Sequence, residues 1–156
     1  MRRKDREVTD INEKLLIIEK CHVCRVAFSS ETAPYIIPMN FGFLYEKDRL
    51  ILYFHCAKAG KKLDIMAKNP MAGFSMDCCH NLISGEEACE FTMRYESITG
   101  NGAASIVPDF EEKEKALGLI MSRYVRDKEF SFSKNAVDNV TIFKIEALEF
   151  TAKKNV

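Results

Sequence analysis

Apolar residues first recur at helical spacing, with Ile11, Leu15 and Ile18 on one face, and Asp10 followed by Glu13 supplies a capping pair that opens a helix. From Cys21 the texture changes. Runs rich in β-branched and aromatic residues at 23–28, 35–43 and 49–54 are separated by short polar segments at 29–32 and 46–48, the pattern of three consecutive antiparallel strands. Pro38 falls inside the second run and cannot donate to a ladder, so that strand is predicted to be an edge or to carry a bulge. After Phe54, residues Leu63, Met66 and Ala67 return to helical spacing until Asn69-Pro70 stops them. Segments 71–77 and 89–107 predict further strands, the second long enough to need a bend at Gly100 or Gly102. Asp109 and Glu112 open a second capped helix, with Phe110, Leu117, Ile120, Met121 and Tyr124 along one face. Segment 140–150 predicts the last strand and Lys153-Lys154 a frayed tail.

About six short strands, two or three helices and mostly hairpin-length connections predict a mainly β (α+β) fold: a six-stranded antiparallel, barrel-like sheet with flanking helices. The first three strands leave no room for the crossover helices of a parallel sheet. At 156 residues the chain fits a single domain spanning 1–156, and repeats, linkers and low-complexity segments are missing from its sequence.

Composition narrows the function classes. Apolar residues make up 47% and charged residues 29%, which suits a soluble globular core, and 23 basic residues cancel 23 acidic ones, which removes the net footprint of a nucleic-acid binder or polybasic membrane anchor. The longest apolar runs, such as 50–54, fall far short of the roughly 20 residues that span a bilayer. The basic start, Arg2, Arg3, Lys4 and Arg6, is broken by Asp5 and Glu7 and leads into no apolar signal region, so a cytoplasmic protein is expected. Six cysteines include two groupings that resemble metal ligands, Cys21-His22-Val23-Cys24 and Cys78-Cys79-His80. If Cys21 and Cys24 lie in a strand, their odd separation sends them to opposite faces, so small buried thiols are expected rather than zinc, and no metal site is assigned.

The stretch from His55 to Lys62 is the most informative chemically. It joins a strand end to a helix start through small residues and Gly60, followed by Lys61 and Lys62. Unpaired N–H groups, the positive end of the helix dipole and two ammonium groups together suit a phosphate; the same lysines also suit a solvated face. Walker, dinucleotide-fingerprint, nucleophile-elbow and zinc-protease patterns are missing from the sequence. The three histidines, at positions 22, 55 and 80, lie on different elements and do not suggest a triad. His55, beside the lysine loop, is the candidate for acid–base chemistry or for a structural hydrogen bond.

These residues also carry a family resemblance. The start at 1–7, the stretch Pro34-Tyr35-Ile36-Ile37-Pro38-Met39-Asn40-Phe41-Gly42, the run from Leu52 through His55-Cys56-Ala57-Lys58-Ala59-Gly60-Lys61-Lys62 to Asp64, and Arg94-Tyr95-Glu96-Ser97-Ile98-Thr99-Gly100-Asn101-Gly102 occur in the order and spacing of one group. The chain resembles the pyridoxamine 5′-phosphate oxidase-like, FMN-binding split-barrel superfamily, specifically its Nim-type branch associated with nitroimidazole resistance, from the N-terminus to about Phe150.

The resemblance implies a homodimer of six-stranded split β-barrels with FMN at the subunit interface. It places His55 and Cys56 at a strand end beside the cofactor, Lys61 and Lys62 on its phosphate, and Pro38, Met39 and Asn40 against the isoalloxazine ring. Tyr95, Glu96 and Ser97 would approach from the neighbouring subunit. Gly60-Lys61-Lys62 stands where pyridoxamine phosphate oxidases have a serine-arginine-lysine motif, and their C-terminal substrate segment has no counterpart, so vitamin B6 oxidation is not expected. The implied activity is FMN-dependent reduction of a small planar acceptor such as a nitroaromatic, with His55 as the catalytic candidate. The alternative is a module that binds a flavin or related cofactor without turnover.

Overall fold

The computed structural model describes residues 3–125 and 127–155; Met1 and Arg2 of the quoted N-terminal stretch lie outside the described residues. A 3₁₀ turn at Lys4–Arg6 leads into β1 (Glu7–Val8) and α1 (Ile11–Lys20). There follow β2 (Cys24–Phe28), β3 (Tyr35–Met39), β4 (Gly42–Glu46), β5 (Arg49–Cys56) and α2 (Lys61–Lys68). The chain continues through β6 (Met71–Ile83), β7 (Thr92–Ile106), α3 (Phe110–Tyr124), α4 (Lys134–Asp138) and β8 (Thr141–Asn155). Both caps read from the sequence form: the Asp10 carboxylate accepts the Glu13 N–H at 3.1 Å and that of Asp109 accepts the Glu112 N–H at 2.8 Å. Asn69 ends α2, its N–H donating to the Ile65 carbonyl at 2.9 Å, and Pro70 cannot continue the helix.

The strands pair antiparallel in the order β3-β2-β6-β7-β8-β5-β4, with β1 added to β8. The two ends of this path, β3 and β4, are consecutive in the chain and joined only by Asn40 and Phe41. Three Cα steps span at most about 11 Å, so the sheet must curl until its ends lie side by side. They are not hydrogen-bonded to each other. The result is an antiparallel barrel, split between β3 and β4.

The predicted class therefore holds, with three corrections of detail. The run 35–43 is two strands, because the chain leaves β3 after Pro38 and Met39 and enters the opposite edge at Gly42; counting this division and β1, the sheet has eight strands among the described residues rather than six. Pro38 sits opposite Arg25 on an edge strand, as its missing N–H demands. The expected frayed tail is ordered: Lys153 pairs with Glu7 and with Ser97 across two ladders, and Lys154 reaches Glu13 at 3.0 Å. Finally, α3 buries Ala116 and Ile120 and packs Leu117 and Leu119 inward, whereas Phe110 and Tyr124 remain part-exposed at its ends.

Burial explains the texture of β5. Leu50, Leu52, Phe54 and Cys56 face the barrel core, where the Phe54 and Phe143 rings stack with centroids 4.9 Å apart. Ile51 and Tyr53 face the second cluster under α3. A strand covered on both faces reads as a continuous apolar run. The long β7 bends where the sequence placed its glycines, its register with β8 shifting between Asn101 and Gly102. A Cβ on Gly102 would collide with the Glu146 carbonyl, so only glycine permits this approach.

Cys21, Cys24 and Cys56 are buried, while Cys79 and Cys89 are exposed. Burial pushes the Cys21 thiol from 9.0 up to about 11 and that of Cys24 up to about 12. Above the ordinary thiol value the unfolded chain loses these protons and the native state keeps them, so stability is complete below it and declines as pH rises toward the folded values. The unfolding midpoint in urea is expected to fall between about pH 8 and about pH 10, with a thiol reagent labelling Cys79 and Cys89 first. An unchanged midpoint, or early labelling of Cys24, would contradict this account.

Candidate functional site

β5 carries His55 and Cys56 to its C-terminal end, with their side chains on opposite faces. Cys56 turns into the core at 8% exposure; burial pushes its thiol up, against the opposing effect of Lys62. His55 is exposed. The chain then crosses 57–60 and enters α2 through Gly60, whose φ of +148° is reached without strain only by glycine. Its carbonyl accepts the Leu63 N–H at 2.9 Å and the Asp64 N–H at 3.3 Å. The preceding N–H groups, of Lys61 and Lys62, have no carbonyl within the helix to bond and lie at its positive end.

The split of the barrel opens beside this helix end. Tyr35, Ile37, Pro38, Met39, Asn40, His55 and Lys62 line one groove of about 310 Å³. Five of these were named from the sequence as site residues: Pro38, Met39, Asn40, His55 and Lys62. Tyr35 and Ile37 were not, although their two-residue spacing ahead of Met39 is the available signal for a shared strand face. Lys61 points elsewhere. Its ammonium lies 4.9 Å from the centre of the Tyr35 ring and it lines an adjoining groove of about 590 Å³ with Ser29, Ser30 and Thr32. The Tyr35 ring thus contacts Lys61 and also lines the groove that holds Lys62.

Tyr95 and Ser97 line a third groove, of about 390 Å³, with Thr99, Thr151 and Lys153; it shares no lining residue with the groove at His55. Glu96, between them, points to the other side of β7. It is 7% exposed, and its carboxylate lies 2.8 Å from the Lys20 ammonium and 3.9 Å from that of Lys154. Within one chain, then, Tyr95, Glu96 and Ser97 do not join the groove at His55.

One premise of the cysteine reading fails. Cys21 is not in a strand; it caps the C-terminal end of α1, and both it and Cys24 are fully buried. The turn out of the helix, rather than strand alternation, sets its direction.

Residues 10–154 match the sequence profile described as pyridoxamine 5′-phosphate oxidase. Among solved structures, the chain is similar to a "putative 5-nitroimidazole antibiotic resistance protein" from Bacteroides thetaiotaomicron, with 34% identity, a TM-score of 0.81, and coverage of 95% of this chain and 86% of that one. A FAD- and heme-binding protein from Mycobacterium smegmatis superposes with a TM-score of 0.82 at 15% identity, covering 96% of this chain and 73% of its own. The flavocytochrome Anf3 from Azotobacter vinelandii gives 0.81 at 16% identity, covering 100% and 72%. At such identities the last two show a shared fold. No curated protein matches the sequence.

Proposed function

The chain belongs to the pyridoxamine 5′-phosphate oxidase family, and from that premise we propose that it is a homodimeric, FMN-dependent oxidoreductase that reduces small planar acceptors such as nitroaromatics. The observation that carries this reading is the meeting, at the split of the barrel, of a helix N-terminus bearing Lys62 with the strand ends that bear Pro38, Met39, Asn40 and His55.

The residues present fit the phosphate of FMN. A Cβ placed on Gly60 would meet nothing within 4 Å, so the space over the helix entrance is open to an anion. The backbone N–H groups of Lys61 and Lys62 and the Lys62 ammonium form a donor set with no acceptor among them, as a phosphate dianion requires. Lys61 joins it by leaving the Tyr35 ring. Pro38 and Met39 offer an apolar wall to a flat ring, the Asn40 amide a donor and an acceptor to its polar edge, and Cys56 packs beneath the strand end. His55 presents its imidazole to the groove, a ring that can donate or accept a hydrogen bond.

Bound FMN supplies hydride or electron transfer. The protein's own part is to fix the phosphate, orient the ring and limit access to its face. Tyr95 and Ser97, half-buried in their own groove, suit the second half of a site completed by a partner chain. The 34%-identical Bacteroides protein, described in terms of nitroimidazole resistance, supports nitroaromatics as the acceptor class.

Purified protein is expected to be yellow or to turn yellow with FMN, to elute as a dimer, and, once reduced, to pass electrons to a nitroaromatic faster than free reduced FMN does. Flavin bound without that acceleration would favour a cofactor-binding module. No flavin binding at all would refute the reading.

A further inference from the structure

We propose that Cys78, Cys79 and Glu96 form a binding site for one zinc ion, in the middle of β6 just beyond the segment that pairs with β2. In a regular strand, neighbouring cysteines point to opposite faces and could not share a metal. Here the register of β6 against β7 shifts between Cys78 and Asn81, and Cys79 adopts φ +58°. Such a bulge re-aims a side chain. Both sulfurs and a Glu96 carboxylate oxygen consequently lie within 4.8 Å of one another. The Cys78 sulfur is 4.0 Å from the Glu96 oxygen, close to the separation of two ligands that each sit about 2.0–2.3 Å from a tetrahedral zinc.

The surroundings suit a cation of this type. Two thiolates and a carboxylate are borderline-soft donors of the kind zinc prefers over magnesium or calcium. The cluster borders a groove of about 400 Å³ that also receives Lys20, His22, Arg25 and His80, which gives an ion a way in and leaves a fourth position for water. The fully buried Cys21 thiol neighbours that of Cys78. Lys20 now occupies the Glu96 carboxylate, but its own side chain is 47% exposed and free to swing into solvent. The exchange balances: the divalent ion enters, one proton leaves each thiol for solvent, Lys20 keeps its charge, and the local charge is unchanged. No electron is transferred. In the loaded site the zinc ion cancels the charge of the two thiolates, and Lys154, 3.9 Å from Glu96, faces the one remaining negative charge.

The test uses the full chain, reduced and freed of metal. Titration with Cd²⁺ alone is expected to raise an ultraviolet thiolate-to-metal band that saturates at one ion per chain, to release two protons per ion, and to be reversed by Zn²⁺. Cys79→Ser changes an exposed side chain and leaves unfolding in urea unaltered, yet should weaken Cd²⁺ binding roughly a hundredfold or more, with Glu96→Gln also weakening it. Cys89→Ser, at an exposed cysteine outside the cluster, should bind as wild type does. The absence of a band in wild type, its persistence in a Cys78→Ser/Cys79→Ser chain, or its loss in Cys89→Ser would each overturn the proposal.

Discussion

A chain carrying Lys61→Ala and Lys62→Ala is expected to bind FMN about a hundredfold or more weakly while unfolding at an unchanged urea concentration. Hydrogen bonds to charged groups contribute roughly 1.5–3 kcal/mol each, and about 1.4 kcal/mol is a factor of ten, so even two contacts at the low end of that range reach two powers of ten. Stability is spared because both ammonium groups project from the first turn of α2 into grooves, and exposed lysines hold a fold together weakly. The singles should differ. Lys62 already lines the groove with His55 and Asn40, whereas Lys61 must abandon the Tyr35 ring, so Lys62→Ala should account for the larger share. The loss should shrink as salt rises, because the contact is electrostatic. Isothermal titration with FMN and, separately, with riboflavin distinguishes the causes: if the double variant loses affinity equally for the phosphate-free flavin, the lysines do not grip the phosphate. Unchanged FMN affinity would remove the phosphate from this helix end altogether.

What could be read from the sequence divides along physical lines. Caps at Asp10 and Asp109 were legible because a carboxylate followed three residues later by glutamate is a local signal, satisfied by the nearest backbone. The doubly buried β5 was legible because burial on both faces leaves an unbroken apolar run at 50–54. The juxtaposition of Pro38–Asn40 with His55 and Lys62 came from family resemblance, since nothing local in 35–40 reports that β3 curls round to meet the end of β5. Long-range pairing hid the rest. Lys153 and Lys154 look like a frayed end until β1 is known to pair beside them, and α4, with five residues capped by Ser133, is too short to show a period. The bulge at Cys79 was invisible for the same reason: it is a mismatch between two strands, and neither strand alone records it.

The structure also makes Arg123 a residue on which both fold and groove depend, and Arg123→Ala should cost roughly 3 kcal/mol or more of stability. Its side chain is 6% exposed. The guanidinium donates to the Ile18 carbonyl at 2.9 Å and to the Cys21 carbonyl, closing the C-terminal end of α1, where a cation is favoured by the helix dipole. It reaches Glu19 at 3.3 Å and lies over the Phe41 ring, 4.3 Å from its centre. Alanine would remove the guanidinium donor from the Cys21 carbonyl, leave the Ile18 carbonyl only the Cys21 N–H at 3.2 Å, and open a void beside two phenylalanines. The neighbouring Tyr124 hydroxyl accepts the Phe41 N–H at 3.2 Å and donates to the His22 carbonyl at 2.7 Å. The end of α3 therefore pins the two-residue connection that holds β3 and β4 at the edges of the split, with Asn40 in the groove. Arg123→Lys keeps the charge without the planar fork and should recover only part of the loss. Arg123→Met should restore packing against Phe41 and Phe43 but not the two carbonyl contacts, and so fall between alanine and wild type. Urea unfolding of the three variants at neutral pH measures this order directly. If Arg123→Ala unfolds within about 1 kcal/mol of wild type, the carbonyls have found other donors and α3 does not anchor the connection.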